Sequence, residues 1–122
     1  MTKRILIVDD DPFLLQGLGK ALEMDIAEVN TVQTGEIALQ EIVSSPYNLC
    51  FLDVYLPDMN GLEVMKRMKE ISPKTGVIIM TAADIDENIK KTIEKNAYMF
   101  ISKPFDLLQV RMIAKRALEE AV

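Results

Sequence analysis

The chain has no histidine and no tryptophan, a single cysteine, and aromatic side chains at only 6% of its 122 positions. Without histidine, imidazole catalysis and imidazole metal ligation are excluded within this chain. A lone Cys50 cannot close an internal disulfide, so folding makes no demand on an oxidising compartment. No apolar run approaches the ~20 residues that a membrane span requires. The N-terminus lacks the charged-then-apolar pattern and small-residue cleavage site of a signal peptide. The compartment expected from this is the cytoplasm. A net charge of −5 argues against broad nucleic-acid binding, which needs a basic surface. What remains is an apolar content of 49% and no low-complexity tract, which suits one ordered domain with a real core.

Short apolar, β-branched runs occur at Arg4–Val8, Ala27–Val32, Leu49–Asp53, Val77–Met80 and Tyr98–Ile101. Stretches of helical spacing separate them. Leu14, Leu18 and Leu22 mark one face of the first, which leaves Phe13 and Leu15 on its flank as a candidate partner surface. Ile37, Ala38, Glu41 and Ile42 open the second, and Leu62, Met65 and Met68 line the third. Ile85, Ile89 and Ile93 repeat every four residues in the fourth; Val110, Ile113, Ala114 and Ala117 mark the fifth. Asp11 before Pro12 fits an N-cap followed by the first helical position. Asp84 with Glu87 and Asp106 with Gln109 have capping-box spacing. Gly17 and Gly19 each cost the first helix about 1 kcal/mol relative to Ala. The alternation predicts (βα)5, an α/β fold. Three strands are almost wholly apolar, as in a parallel sheet covered on both faces.

One stretch needs explanation. In "ILIVDDDP", residues 5 to 12, a buried strand runs straight into Asp9, Asp10 and Asp11. Carboxylates so close repel and resist desolvation unless something compensates them. In an open parallel α/β sheet, ligands sit beyond the carboxyl ends of the strands. There the pattern gathers Asp9 and Asp10 after the first strand, Asp53 ending the third, Thr81 after the fourth and Lys103 past the fifth. A hard divalent cation, Mg2+, would compensate the acids, since it takes oxygen ligands, usually one or two carboxylates plus a phosphate. Asp11 is accounted for as an N-cap, Asp58 by turn chemistry in "LPDMNG", Cys50 as core and the eight methionines as packing.

Val8-Asp9-Asp10, Asp53 in "LDVYLPDMNG", Thr81-Ala82 after an apolar strand, and "FISKPF" with Lys103-Pro104 resemble the receiver domain of two-component response regulators. The resemblance covers residues 1–122 and implies a doubly wound, flavodoxin-like five-stranded parallel sheet in the order 2-1-3-4-5. It implies that Asp53 accepts a phosphoryl group from a phosphohistidine on a sensor histidine kinase or a histidine phosphotransfer protein. Asp10, Asp53 and the backbone carbonyl of Tyr55 would ligate Mg2+, with Asp9 holding metal-bound water. Lys103 would pair with Asp53 and then with a phosphoryl oxygen. Thr81 would bond the phosphoryl group, and Phe100 would change rotamer. The family holds the Lys-Pro bond cis. The implied role is that of a phospho-acceptor that assists its own phosphorylation and dephosphorylation, not of an enzyme turning over a separate substrate. The face made by the fourth helix, fifth strand and fifth helix would change, serving a homodimer or an effector domain, with no direct nucleic-acid or membrane contact.

Tyr55 and Ala83, two residues past Asp53 and Thr81, are placed to lengthen the life of the phosphorylated state: one shades the site, the other offers no group to orient water. Two rivals stand beside this reading. A haloacid-dehalogenase-type phosphatase would want Asp-x-Asp followed by Thr or Val, whereas Asp11 is followed by Pro12. A receiver-like interaction module that is never phosphorylated would usually lack an acid or the lysine, and this chain keeps the set.

Overall fold

The computed structural model describes residues 2–23, 27–82 and 85–120. Five strands, β1 (Lys3–Val8), β2 (Ala27–Val32), β3 (Leu49–Asp53), β4 (Gly76–Thr81) and β5 (Met99–Ser102), alternate with α1 (Pro12–Leu22), α2 (Gly35–Ser44), α3 (Gly61–Ile71), α4 (Glu87–Asn96) and α5 (Leu107–Glu120). The strands form one parallel sheet in the order β2-β1-β3-β4-β5. This is the predicted flavodoxin-like order, with the winding reversing between β1 and β3.

Period-two alternation splits the apolar strands between two cores. Ile5, Ile7, Leu49, Phe51, Ile78 and Met80 pack against α1 and α5. Leu6, Val8, Cys50, Leu52, Val77 and Ile79 pack against α2, α3 and α4. Cys50 is fully buried and its thiol is pushed far up by desolvation, so it is inert core, as expected.

Two expectations about helices change. In α1 the buried stripe is Leu15, Leu18 and Leu22, while Leu14 is only partly covered. Both stripes satisfy a 3.6-residue period, and packing against α5 selects the one through Leu15. Leu15 is therefore core, not partner surface; Phe13 is 83% exposed. At α4 the N-cap is Asp86, whose carboxylate accepts from the Ile89 N–H at 2.8 Å. Asp84 lies outside the described residues. Asp11 caps α1 as predicted, accepting from Phe13 N–H at 2.9 Å. Asp106 caps α5 by accepting from Leu108 N–H at 2.8 Å, one residue earlier than a capping box places the bond.

Candidate functional site

Each strand delivers its residue to the same edge because all five run parallel and end together. β1 ends at Val8 and β3 at Asp53, with Val8 paired to Leu52 one residue short of it. Asp53 pairs with Met80, next to Thr81, and Thr81 pairs with Ser102, next to Lys103. The backbone N–H of Lys103 bonds the Thr81 carbonyl at 2.7 Å, which extends the sheet pairing to the lysine itself. The Lys103–Pro104 peptide is cis, as the family resemblance implied.

Asp9 is fully buried and Asp53 nearly so, at 5% exposure, while Asp10 is exposed. One carboxylate oxygen from each of the three lies within 4.8 Å of the others. The Lys103 ammonium reaches into this cluster, with Nζ 2.7 Å from Asp9 Oδ2 and 3.3 Å from Asp53 Oδ2. The second oxygen of Asp9 accepts from Asp11 N–H at 2.9 Å, and that of Asp53 from Tyr55 N–H at 3.2 Å. Burial raises the pKa of Asp53; the charge of Asp9 adds to this, and the Tyr55 N–H and Lys103 oppose it. Burial pulls Lys103 down, but the Asp9 hydrogen bond and both carboxylates outweigh it, so the ammonium ends above its ordinary value and stays charged. The site thus holds three acids against one cation, an excess of negative charge that suits a divalent ion.

Thr81 is fully buried, and its hydroxyl donates to the adjacent Ala82 carbonyl at 3.0 Å. Phe100 is partly buried against the α2–α3–α4 core, in register with Ile79. The Tyr55 side chain is 56% exposed beside Asp53. Ala83 lies outside the described residues.

Two residues of the loop 54–60 and its end carry more than turn chemistry. Asp58 reaches across to α2, its Oδ1 accepting from Gly35 N–H at 2.9 Å and its Oδ2 from Glu36 N–H at 3.0 Å. These bonds hold its carboxyl below the usual range. Gly61 N–H bonds the Val54 carbonyl at 2.7 Å, and a β-carbon there would sit 2.1 Å from the Asp53 carbonyl oxygen. Sequence spacing gave no sign of the first, because the partners are 22 and 23 residues apart. The second had a signal: a glycine opening a helix where a better helix former would serve.

The family model of the response regulator receiver domain matches residues 5–115. The chain belongs to the response regulator receiver domains. As a receiver domain it is a signalling module of two-component systems. It is 33% identical over 118 residues to the sporulation initiation phosphotransferase F of Bacillus subtilis, covering 97% of this chain and 95% of that protein. It is 34% identical over 118 residues to a cyclic di-GMP phosphodiesterase of Thermotoga maritima, covering 97% of this chain but 32% of the relative. This chain thus spans about a third of that relative's length. The crystal structure of a CheY-like receiver domain protein from Methanospirillum hungatei superposes with a TM-score of 0.92 at 31% identity, covering 99% of this chain and 97% of that one. Receiver domains bind Mg2+ in an acidic pocket and interact with histidine kinases and phosphotransfer proteins; Asp9, Asp10 and Asp53 form such a pocket here. Among the described residues, no helix is long and apolar enough to cross a membrane.

Proposed function

We propose that this receiver domain takes a phosphoryl group onto Asp53 from the phosphohistidine of a sensor histidine kinase or histidine phosphotransfer protein, in a Mg2+-dependent reaction. The observation that carries the reading is the shared ammonium of Lys103 between Asp9 and Asp53, with an Asp10 oxygen inside the same 4.8 Å cluster. Asp10, Asp53 and the Tyr55 carbonyl would hold Mg2+, with Asp9 acting through a water molecule. When bound, the ion offsets charge on the transferring phosphoryl oxygens.

One oxygen of the Asp53 carboxylate attacks phosphorus. The P–N bond breaks, and the imidazole of the donor leaves with its electron pair. The chain's part is to position the nucleophile and to balance charge. Tyr55 N–H orients the Asp53 carboxylate, and Asp9 holds the Lys103 ammonium where a phosphoryl oxygen arrives. The new group adds about two negative charges within reach of Thr81 and Lys103. The Thr81 hydroxyl exchanges its Ala82 carbonyl for the phosphoryl group, and Phe100 turns into the space this vacates. The changed face of α4, β5 and α5 then engages a second copy or an effector domain.

Intact mass after treatment with acetyl phosphate and Mg2+ tests the acceptor. One phosphoryl adduct is expected in the parent and none in Asp53→Asn. An adduct that survives the substitution overturns the assignment.

A further inference from the structure

We propose that Asp58 is a positioning residue for the cation site, clamping the loop 54–60 to the first turn of α2 and so setting where Tyr55 stands beside Asp53. The inference rests on the reading above, in which the Tyr55 carbonyl is one of the groups that hold Mg2+.

A helix begins with N–H groups that have no partner within it. In α2, Thr34 already caps locally, its hydroxyl oxygen accepting from Ile37 N–H at 3.2 Å. The two N–H groups before it, of Gly35 and Glu36, are taken by the two carboxylate oxygens of Asp58. A charged acceptor facing a helix N-terminus makes short, strong bonds. α2 is the fixed partner in this clamp, because its Ala38 and Ile42 are buried in the core, while Asp58 is exposed on a connecting loop. Contact here requires a missing side chain on the helix. A β-carbon on Gly35 would lie 2.8 Å from Val64 Cγ2 and 3.1 Å from Met59 Sδ, beside Asp58.

The two ends of the loop are tied to each other independently of Asp58. Gly61 N–H bonds the Val54 carbonyl, and Tyr55 bridges to Asn60 in antiparallel fashion. Tyr55 therefore stands in a short loop tied at both ends, with its own N–H on Asp53 Oδ1. Releasing the Asp58 clamp frees the turn between those ties to move against α2 and leaves the acids untouched. Groups that orient a metal ligand typically change affinity about 10-fold or more when lost.

Titration calorimetry with MgCl2, backed by melting curves in EDTA, separates positioning from general stability. Asp58→Ala is expected to raise the Mg2+ Kd about 10-fold, and Asp58→Asn, which keeps one acceptor, about 3-fold. Thr34→Ala removes a cap from the same helix without touching the loop; it should lower the melting temperature and leave the Mg2+ Kd within about twofold of the parent. Should Asp58→Ala fail to fold, Asp58→Asn decides. The inference is overturned if the Asp58 variants bind Mg2+ as the parent does, or if Thr34→Ala weakens binding as much as they do. A parent that binds no Mg2+ overturns instead the reading of the site on which the inference rests.

Discussion

Lys103 donates to Asp9 at 2.7 Å, across 94 residues of sequence, and this bond is shorter than the one it makes to Asp53. Asp9 is fully buried, so the ammonium is what compensates its charge. Removing one partner of a buried pair costs several kcal/mol because the other charge stays behind. Lys103→Met should therefore destabilise the Mg2+-free protein by about 3 kcal/mol in urea unfolding. Asp9→Asn, which leaves Lys103 bonded to Asp53, should cost less. Equal losses would show that the lysine acts through Asp9 alone and that its bond to Asp53 adds no stability.

Added MgCl2 should raise the melting temperature of the parent, since an ion that binds only the folded state stabilises it by RT ln(1 + [L]/Kd), about 2.7 kcal/mol at 100 times Kd. Asp10→Asn should lose most of that gain. The carboxylates of Asp9, Asp10 and Asp53 face one ammonium, so in EDTA Asp53→Asn should melt higher than the parent. Differential scanning calorimetry with and without Mg2+ checks both.

Two glycines should respond in opposite directions to alanine. At Gly61 the new carbon meets the Asp53 carbonyl oxygen at 2.1 Å, so the loop or the strand end must shift. We expect a loss of about 3 kcal/mol or more and slower phosphorylation by acetyl phosphate. At Gly17 nothing lies within 4 Å and the residue is inside α1, so Gly17→Ala should stabilise by about 0.5–1 kcal/mol. Chemical unfolding reads both values.

The N–H groups of Gly35 and then Glu36 hold the Asp58 carboxyl below its ordinary range. A depressed folded-state pKa means stability that is present above the unfolded value and lost as pH falls through the folded one. The parent should therefore melt above Asp58→Asn at neutral pH, and the two should converge in acid, where Asp58 is protonated and resembles the amide. Melting curves from pH 7 downwards test the sign; a gap that widens in acid would contradict it.

Thr81→Ala should still accept a phosphoryl group on Asp53 but fail to carry the change outward. Amide shifts across α4, β5 and α5 should move on phosphorylation of the parent and stay still in the variant. Matching shifts in both would remove Thr81 from the path.

The sheet and its edge were legible because both depend on local pattern. Short β-branched apolar runs such as Ile5–Val8 and Val77–Met80, alternating with helical spacing, read as strands covered on both faces, and parallel strands present their carboxyl ends at one edge. Asp9, Asp10, Asp53, Thr81 and Lys103 could therefore be gathered from sequence alone, as could the Asp11 cap, whose partner N–H is two residues away. Only the tertiary structure decided the rest. Whether α1 buries Leu14 or Leu15 depends on how it leans against α5, since one helical period accommodates both stripes. Lys103 lies nearer Asp9 than Asp53 because its side chain extends from beyond β5 across the carboxyl ends of the sheet to the residue after β1, a distance with no trace in residue order. Asp58 reads as an ordinary turn residue until the fold brings Gly35 and Glu36 within 3.0 Å of it. Short-range hydrogen bonding and periodicity are written in neighbouring residues; long-range contacts become definite only once two elements have packed.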